Sequence, residues 1–233
     1  VILVRKANQR GVTKTDWLQS FHTFSFADYY DPQFLGFGNL LVINEDTVQP
    51  GAGFGLHPHE DMEIISYVVE GMIEHRDSIG QSQVLKAGEI QRMSAGHGIK
   101  HSEYNPSHDK PLHFLQIWIT PKQKGLEPSY EQKLIPHSQN DLVLLGASEG
   151  GNGALKIHQD VNLYYARLLQ GNSIAYSFDE TSYGWLQVIS GNLVCNEEAL
   201  FAGDGIAIID ESRINVESLS NETMFLLFDF MRK

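Results

Sequence analysis

At 233 residues the chain can hold one large domain or two small ones, and it can bury enough surface to fold without a disulfide or a structural metal. Its 17 Lys and Arg against 29 Asp and Glu leave a net charge of −12, which excludes the long-range attraction that drives binding to nucleic-acid phosphates or anionic lipid. With no apolar run of about 18 residues, no secretory leader pattern and a lone Cys195, the sequence predicts a soluble cytoplasmic protein that binds neither nucleic acid nor membrane directly.

In chain order, short runs rich in Val, Ile, Phe and Tyr predict strands at Leu40–Ile43, Ile64–Val69, Glu89–Met93, Leu112–Ile119, Leu142–Leu145, Leu163–Leu169, Trp185–Ile189, Ile206–Ile209 and Thr223–Phe230. Turn signals such as Asp77-Ser78-Ile79-Gly80 and Lys86-Ala87-Gly88-Glu89 separate them, and almost no segment keeps a 3.6-residue period. The fold class is therefore all-β, a sandwich or barrel.

A weak internal repeat divides it. Tyr67-Val68-Val69-Glu70-Gly71 resembles Gln187-Val188-Ile189-Ser190-Gly191, and Ala87-Gly88-Glu89 resembles Ala202-Gly203-Asp204 after a shorter intervening loop. Two similar barrels in tandem are expected, residues 1–135 and 136–233, with the linker inside the polar, proline-containing segment Pro121–Asn140.

Chemistry concentrates in Gly53-Phe54-Gly55-Leu56-His57-Pro58-His59 and in Gly96-His97-Gly98-Ile99-Lys100-His101-Ser102-Glu103. Alternate residues of a strand share a face, so His57 and His59 can point together into a barrel, as can His101 and Glu103. Three imidazoles and a carboxylate around one point suit a divalent first-row metal. Because such imidazoles must be neutral, occupancy is expected to fall below about pH 6.5 unless tight binding displaces the protons. The other seven histidines lack this spacing and are expected at the surface or in structural hydrogen bonds.

At these residues the chain resembles the cupin superfamily: Gly51, His57, His59, Glu63 and Gly71 nearly match its first motif, and Gly98, His101 and Asn105 match part of its second, with Gly96 where proline is usual. More narrowly it is similar to the pirin family in Phe21-His22-Thr23-Phe24-Ser25-Phe26-Ala27-Asp28-Tyr29-Tyr30-Asp31-Pro32, in His57-Pro58-His59 and in Met93 through Glu103. The resemblance implies two tandem cupin-type β-barrels, a bicupin, with one divalent transition metal held by His57, His59, His101 and Glu103. Iron is the first expectation, and Zn, Ni, Mn, Co or Cu suit the same donors. Ordinary cupins would use Glu63 as the carboxylate. The i, i+2 pairing of Glu103 with His101 favours Glu103 and leaves Glu63 a supporting or salt-bridged role. Transferred at the repeat offsets, the ligand positions of the second half become Ser177, Asp179, Val216 and Ser218, which cannot hold a transition metal.

Bacterial pirins are similar to quercetin 2,3-dioxygenases, which implies an oxidoreductase that opens the central ring of a flavonol with O2 and releases CO. Glu103 would be its catalytic proton acceptor, and Phe24, Phe37 and Phe54 are candidates to wall the flat substrate. The alternative is a non-enzymatic, metal-dependent binding protein or transcriptional co-regulator that acts through protein partners, with which the acidic charge is also compatible. Because cupins host several chemistries, fold alone does not decide between these or another metal-assisted reaction.

Overall fold

A computed structural model describes residues 1–151 and 153–231, so positions 152, 232 and 233 of the expected second barrel lie outside the described residues. Among the described residues there are strands and one 3-10 turn (Ala7–Gln9), with no helix long and apolar enough to cross a membrane. The first twelve strands are β1 (Ile2–Arg5), β2 (Gly11–Lys14), β3 (Leu18–His22), β4 (Leu40–Val48), β5 (Gly53–His59), β6 (Glu63–Glu70), β7 (Met72–Asp77), β8 (Ser82–Lys86), β9 (Glu89–Ser94), β10 (Ile99–Tyr104), β11 (Leu112–Ile119) and β12 (Ser129–Leu134). The rest are β13 (Leu142–Ala147), β14 (Leu155–Lys156), β15 (Val161–Leu169), β16 (Ser173–Ser177), β17 (Ser182–Ser190), β18 (Asn192–Cys195), β19 (Glu198–Phe201), β20 (Gly205–Ile209), β21 (Arg213–Ser218) and β22 (Glu222–Met231). Each of the nine apolar runs lies on one of these strands.

The chain divides into two units, one of Gly11–Ile135 with Leu155–Gln159, the other of Val1–Arg10, Pro136–Ala154 and the chain from Asp160 onward. One edge of the division falls at 135/136, but a single cut there misassigns two segments. β1 pairs with β20, Ile2 opposite Ile208, which ties the N-terminus to the later unit. The expected linker is not all loop: it contains β12, whose residues Ser129–Leu134 pair antiparallel with Ser94–Glu89 of β9. Its polar side chains conceal a strand whose backbone hydrogen bonds hold it at a sheet edge.

In the Gly11–Ile135 unit the larger sheet has the order β12-β9-β6-β11-β4-β3-β2 and the smaller β5-β10-β7-β8. The inward faces follow a layered pattern. Along β6 it reads Ile64, Ser66, Val68, and along β11 Phe114, Gln116, Trp118. Ile64, Met93, Ala95 and Ile99, with Trp118 packed on them, form one apolar cluster; Leu18, Val48, Val68, Ile73, Leu85, Leu112 and Phe114 form another. Between the two lies a polar layer to which Ser20, Asp46, Ser66, His75, Gln91, His101 and Glu103 contribute, all buried.

The other unit repeats the arrangement with an apolar interior. β21 pairs with β16 so that Val216 faces Ile174 and Ile214 faces Tyr176, whereas in the first unit His101 faces His57 and Ile99 faces His59. Register therefore makes Ile174 and Tyr176 the counterparts of His57 and His59. This corrects Ser177 and Asp179, because the segment from Tyr176 to Gly191 is three residues longer than that from His59 to Gly71. Val216 and Ser218 keep their assignments. Ile174, Tyr176, Val216 and Cys195 belong to one apolar cluster, and burial pushes the Cys195 thiol up to about 12, which removes it as a nucleophile at neutral pH.

The turn that delivers β10 depends on Gly96, at φ +51°, where an added Cβ would lie 2.0 Å from the Leu126 carbonyl oxygen. A Gly96→Ala variant is expected to lose at least about 1–3 kcal/mol, seen as a lower urea midpoint. An unchanged midpoint would contradict this account of the turn.

Candidate metal centre

Two short strands bring the donors together. β10 alternates Ile99, His101 and Glu103 inward with Lys100, Ser102 and Tyr104 outward. β5 pairs with it, but the register slips between His101 and Glu103: His101 faces His57 while Glu103 faces Phe54. This bulge spends one extra residue of β5 and turns both His57 and Phe54 toward the interior. Gly53 permits the approach, since a Cβ there would meet the Glu103 carbonyl oxygen at 2.2 Å.

The imidazoles of His57, His59 and His101 stand with ring centroids 4.5 to 4.9 Å apart and present donor atoms within 4.8 Å of one another. Gly55's carbonyl oxygen lies 2.7 Å from Nδ1 of His57; an N–H donated there leaves Nε2 with its lone pair for a ligand. Both ring nitrogens of His101 are buried without a hydrogen-bond partner. Orphaned nitrogens in a group 1% exposed are what a metal ligand looks like without its ion. The donor set fits one divalent transition metal.

Glu103 is 1% exposed and held by three donors: Ser66 Oγ and Gln91 Nε2 donate to Oε1 at 3.2 and 3.4 Å, and Gln116 Nε2 donates to Oε2 at 2.7 Å. Oε2, with a single donor, keeps a lone pair for a cation or a proton. Burial pushes the Glu103 carboxyl above the ordinary range, against the opposing pull of nearby imidazoles.

Sequence spacing misses His75. It shares a three-donor set with His101 and Glu103, again within 4.8 Å, and its Nδ1 is buried without a partner. Its Nε2 is paired with Asp77 Oδ2 at 2.8 Å, while Asp77 Oδ1 accepts from the backbone N–H groups of Ile79 and Gln81 and so ties the ring to the β7–β8 turn. The available signal was the i, i+2 spacing of His75 and Asp77, the same that marks His101 and Glu103. The remaining histidines meet expectation: His22, His97, His113 and His158 are hydrogen-bonded, and His108 and His137 are exposed.

Glu63 lies elsewhere. It precedes Ser66 by three residues on β6 and so takes the opposite face, where its Oε2 accepts from the backbone and ring of His158 at 3.1 and 3.2 Å, with Arg92 Nε at 4.0 Å. It is a buried salt-bridged residue.

A cavity of about 210 Å³ opens onto His57, His59 and Glu103. Phe26, Phe54 and Trp118 wall it, and Asp46 and Gln116 supply polar atoms. Of the three phenylalanines proposed from sequence only Phe54 lines it; Phe24 is buried core, Phe37 is not part of the lining, and Phe26 is. Trp118 meets His59 edge-on at 5.0 Å and Phe26 at 5.4 Å. A larger depression of about 550 Å³ beside Pro58, Gly98 and Lys100 is an open surface groove that shares only His59 with the site.

A donor cluster of this kind inside the first of two similar β-units defines a metal-binding bicupin. Residues 4–119 match the Pirin family profile, and residues 144–230 match that of the quercetinase C-terminal cupin domain. A quercetin 2,3-dioxygenase of Escherichia coli strain K12 is 47% identical over 229 residues, 98% of each chain. A crystal structure of the bacterial pirin YhhW from Escherichia coli in complex with nickel(II) superposes with a TM-score of 0.96 at 45% identity, covering 100% of both chains. A quercetin 2,3-dioxygenase from Acinetobacter baumannii, 19% identical with a TM-score of 0.81 over 98% of this chain and 85% of that one, shares the fold. The chain belongs to the pirin family, and over its full length it is similar to proteins named as quercetin 2,3-dioxygenases.

Burial, with the neighbouring imidazoles adding to it, lowers His59 to about 4 and His101 to about 3 from an ordinary 6.5. Both folded values lie below the unfolded one, so the unfolded chain takes up protons first. Stability from these neutral rings is complete above about pH 6.5 and is lost as pH falls toward 4 and 3. Metal occupancy, measured by elemental analysis after dialysis, is therefore expected to be equal at pH 7 and 5.5 and to fall only near pH 4. Half-loss near pH 6.5 would contradict this. A His57→Ala, His101→Ala double variant is expected to retain essentially no ion at neutral pH, and full metal content would exclude the cluster as the site.

Proposed function

We propose that this chain is a metal-dependent dioxygenase, acting in the cytoplasm, that opens the central ring of a flavonol such as quercetin with O2 and releases CO. The observation that carries the reading is the meeting of the donor cluster with an aromatic-walled cavity: His57, His59 and Glu103 line the same space as Phe26, Phe54 and Trp118. The names of the full-length relatives support the choice of substrate.

We assign the ion to His57, His59, His101 and Glu103. Held there, a divalent ion would supply Lewis acidity that favours the ionised form of a flavonol 3-hydroxyl. Iron is our first assignment, and nickel suits the same donors.

The chain's own residues do the rest. Glu103 takes the 3-hydroxyl proton on a carboxylate oxygen. Ser66, Gln91 and Gln116 keep the carboxylate from turning away. The aromatic walls hold a flat ligand and exclude water from the reacting centre. The later unit, with Ile174, Tyr176 and Val216 at the corresponding positions, serves as a structural copy without an ion of its own.

The test is oxygen uptake by metal-loaded protein given quercetin. Glu103→Gln preserves the shape of the side chain and removes its main proton acceptor. At equal metal content the variant is expected to turn over about 10²- to 10⁴-fold more slowly. Undiminished turnover in the fully loaded variant would reject Glu103 as the base. Wild-type protein inert toward every flavonol tried would turn the assignment toward a binding protein.

A further inference from the structure

Asp46 has no place in the chemistry described so far, yet it lines the same cavity. It sits on β4, opposite Phe114 on one side and Ser20 on the other, and is 2% exposed. The Ser20 hydroxyl hydrogen-bonds its carboxyl group, and Oδ1 is buried without a hydrogen-bond partner. Among the described residues no ion pair reaches it. A carboxylate oxygen in this position costs free energy, because water is withdrawn and nothing replaces it. Nothing in the packing of β4 calls for an acid. Its neighbour two residues on, Val48, shows that the inward face accepts an aliphatic side chain.

Across the cavity stand the metal-ligand candidates His57, His59 and Glu103. The rest of the lining is Phe26, Phe54, Trp118, Ser20, Asn44, Gln116 and Asp46. Asn44 Oδ1 is engaged by His22 Nδ1 at 2.8 Å, Gln116 Oε1 accepts from Trp118 Nε1 at 3.2 Å and Ser20 is bonded to Asp46, which leaves Asp46 Oδ1 as the acceptor without a partner.

We propose that Asp46 is a specificity-determining residue whose Oδ1 accepts a hydrogen bond from a second hydroxyl of the aromatic substrate, apart from the one presented to the metal ligands. This rests on the reading of the cavity as a flavonol site and narrows it to polyhydroxylated flavonols. Discrimination follows from the cost of leaving Oδ1 unpaired: a ligand that lacks the second hydroxyl seals the oxygen from water and offers nothing in exchange.

Equilibrium binding to metal-loaded protein tests this, with quercetin and 3-hydroxyflavone as probes. The latter carries the 3-hydroxyl and no other. Burial pushes the Asp46 carboxyl up to about 7, so the comparison is made at pH 8, where it is ionised. Wild-type protein is expected to prefer quercetin, and Asp46→Ala to reduce the ratio of the two affinities about 10- to 100-fold, the range for a hydrogen bond to a charged group. Asp46→Asn, nearly isosteric and still an acceptor, is expected to reduce it only about fivefold. The Asn variant also decides the matter should the Ala variant fail to fold. Metal content on each sample separates lost recognition from a disturbed centre. An unchanged ratio in both variants, equal weakening for both probes, or a wild-type protein without preference for quercetin would overturn the proposal. Oxygen uptake on the same samples separates the two readings. A preference that depends on Asp46, in a protein that consumes no oxygen, upholds this inference and sinks the dioxygenase. Oxygen uptake with an Asp46-independent preference does the reverse.

Discussion

The structure of the metal-bearing unit depends on one constraint: a layer of polar side chains is buried between two apolar clusters, out of reach of water. Ile64, Met93 and Ile99 bound it on one side, Val68, Ile73 and Phe114 on the other. Within the layer each polar atom must find a partner or carry a cost. Ser66, Gln91 and Gln116 satisfy Glu103, and Asp77 satisfies one nitrogen of His75. The atoms left over are both nitrogens of His101, Nδ1 of His75 and Oδ1 of Asp46. In the reading proposed above, a cation and a ligand complete the hydrogen bonding and coordination of these atoms. An ion bound only by the folded chain stabilises it by mass action, so apo and loaded protein differ in stability as well as in chemistry.

The two units show that the ligands are dispensable for folding. β21, β16 and β18 keep the register of β10, β5 and β7, but Val216, Ile174, Tyr176 and Cys195 stand where His101, His57, His59 and Asp77 stand in the other unit. Leu193 replaces His75 and Ser218 replaces Glu103. The strand order is the same, and the interior is largely apolar, with a buried Asp229 that accepts from the Tyr176 hydroxyl at 2.7 Å. The same strand arrangement thus accommodates Ile174, Tyr176, Val216, Cys195, Leu193 and Ser218 at those positions. The cost of burying the polar layer is a cost of function.

How much of this was legible in the sequence depends on which face of each strand carried the signal. Central strands such as β6, β11, β17 and β22 are buried on both faces and read as continuous apolar runs. Strands of the smaller sheets were harder. Met72–Asp77 places His75 and Asp77 inward, so its hydrophobic alternation fails where the site begins, and β12 is polar up to its last residue, Leu134. HxH and HxE spacing exposed His57, His59, His101 and Glu103, because ligands two apart on one strand share a face. Asp46 was invisible, since its meeting with Ser20 and Phe114 depends on strand register, which no local spacing encodes. The repeat located the second unit, but its offset misplaced two counterparts by three residues, because loop length between strands varies freely while register does not.

The central claim is that one ion completes the polar layer and that the second unit has none. Anomalous diffraction at the absorption edge of the bound metal, on crystals of the loaded protein, tests it directly. The account predicts a single peak about 2.0–2.2 Å from nitrogens of His57, His59 and His101 and from a carboxylate oxygen of Glu103. A peak that leaves out two of the three histidines, or one among Ile174, Tyr176 and Val216, would contradict it.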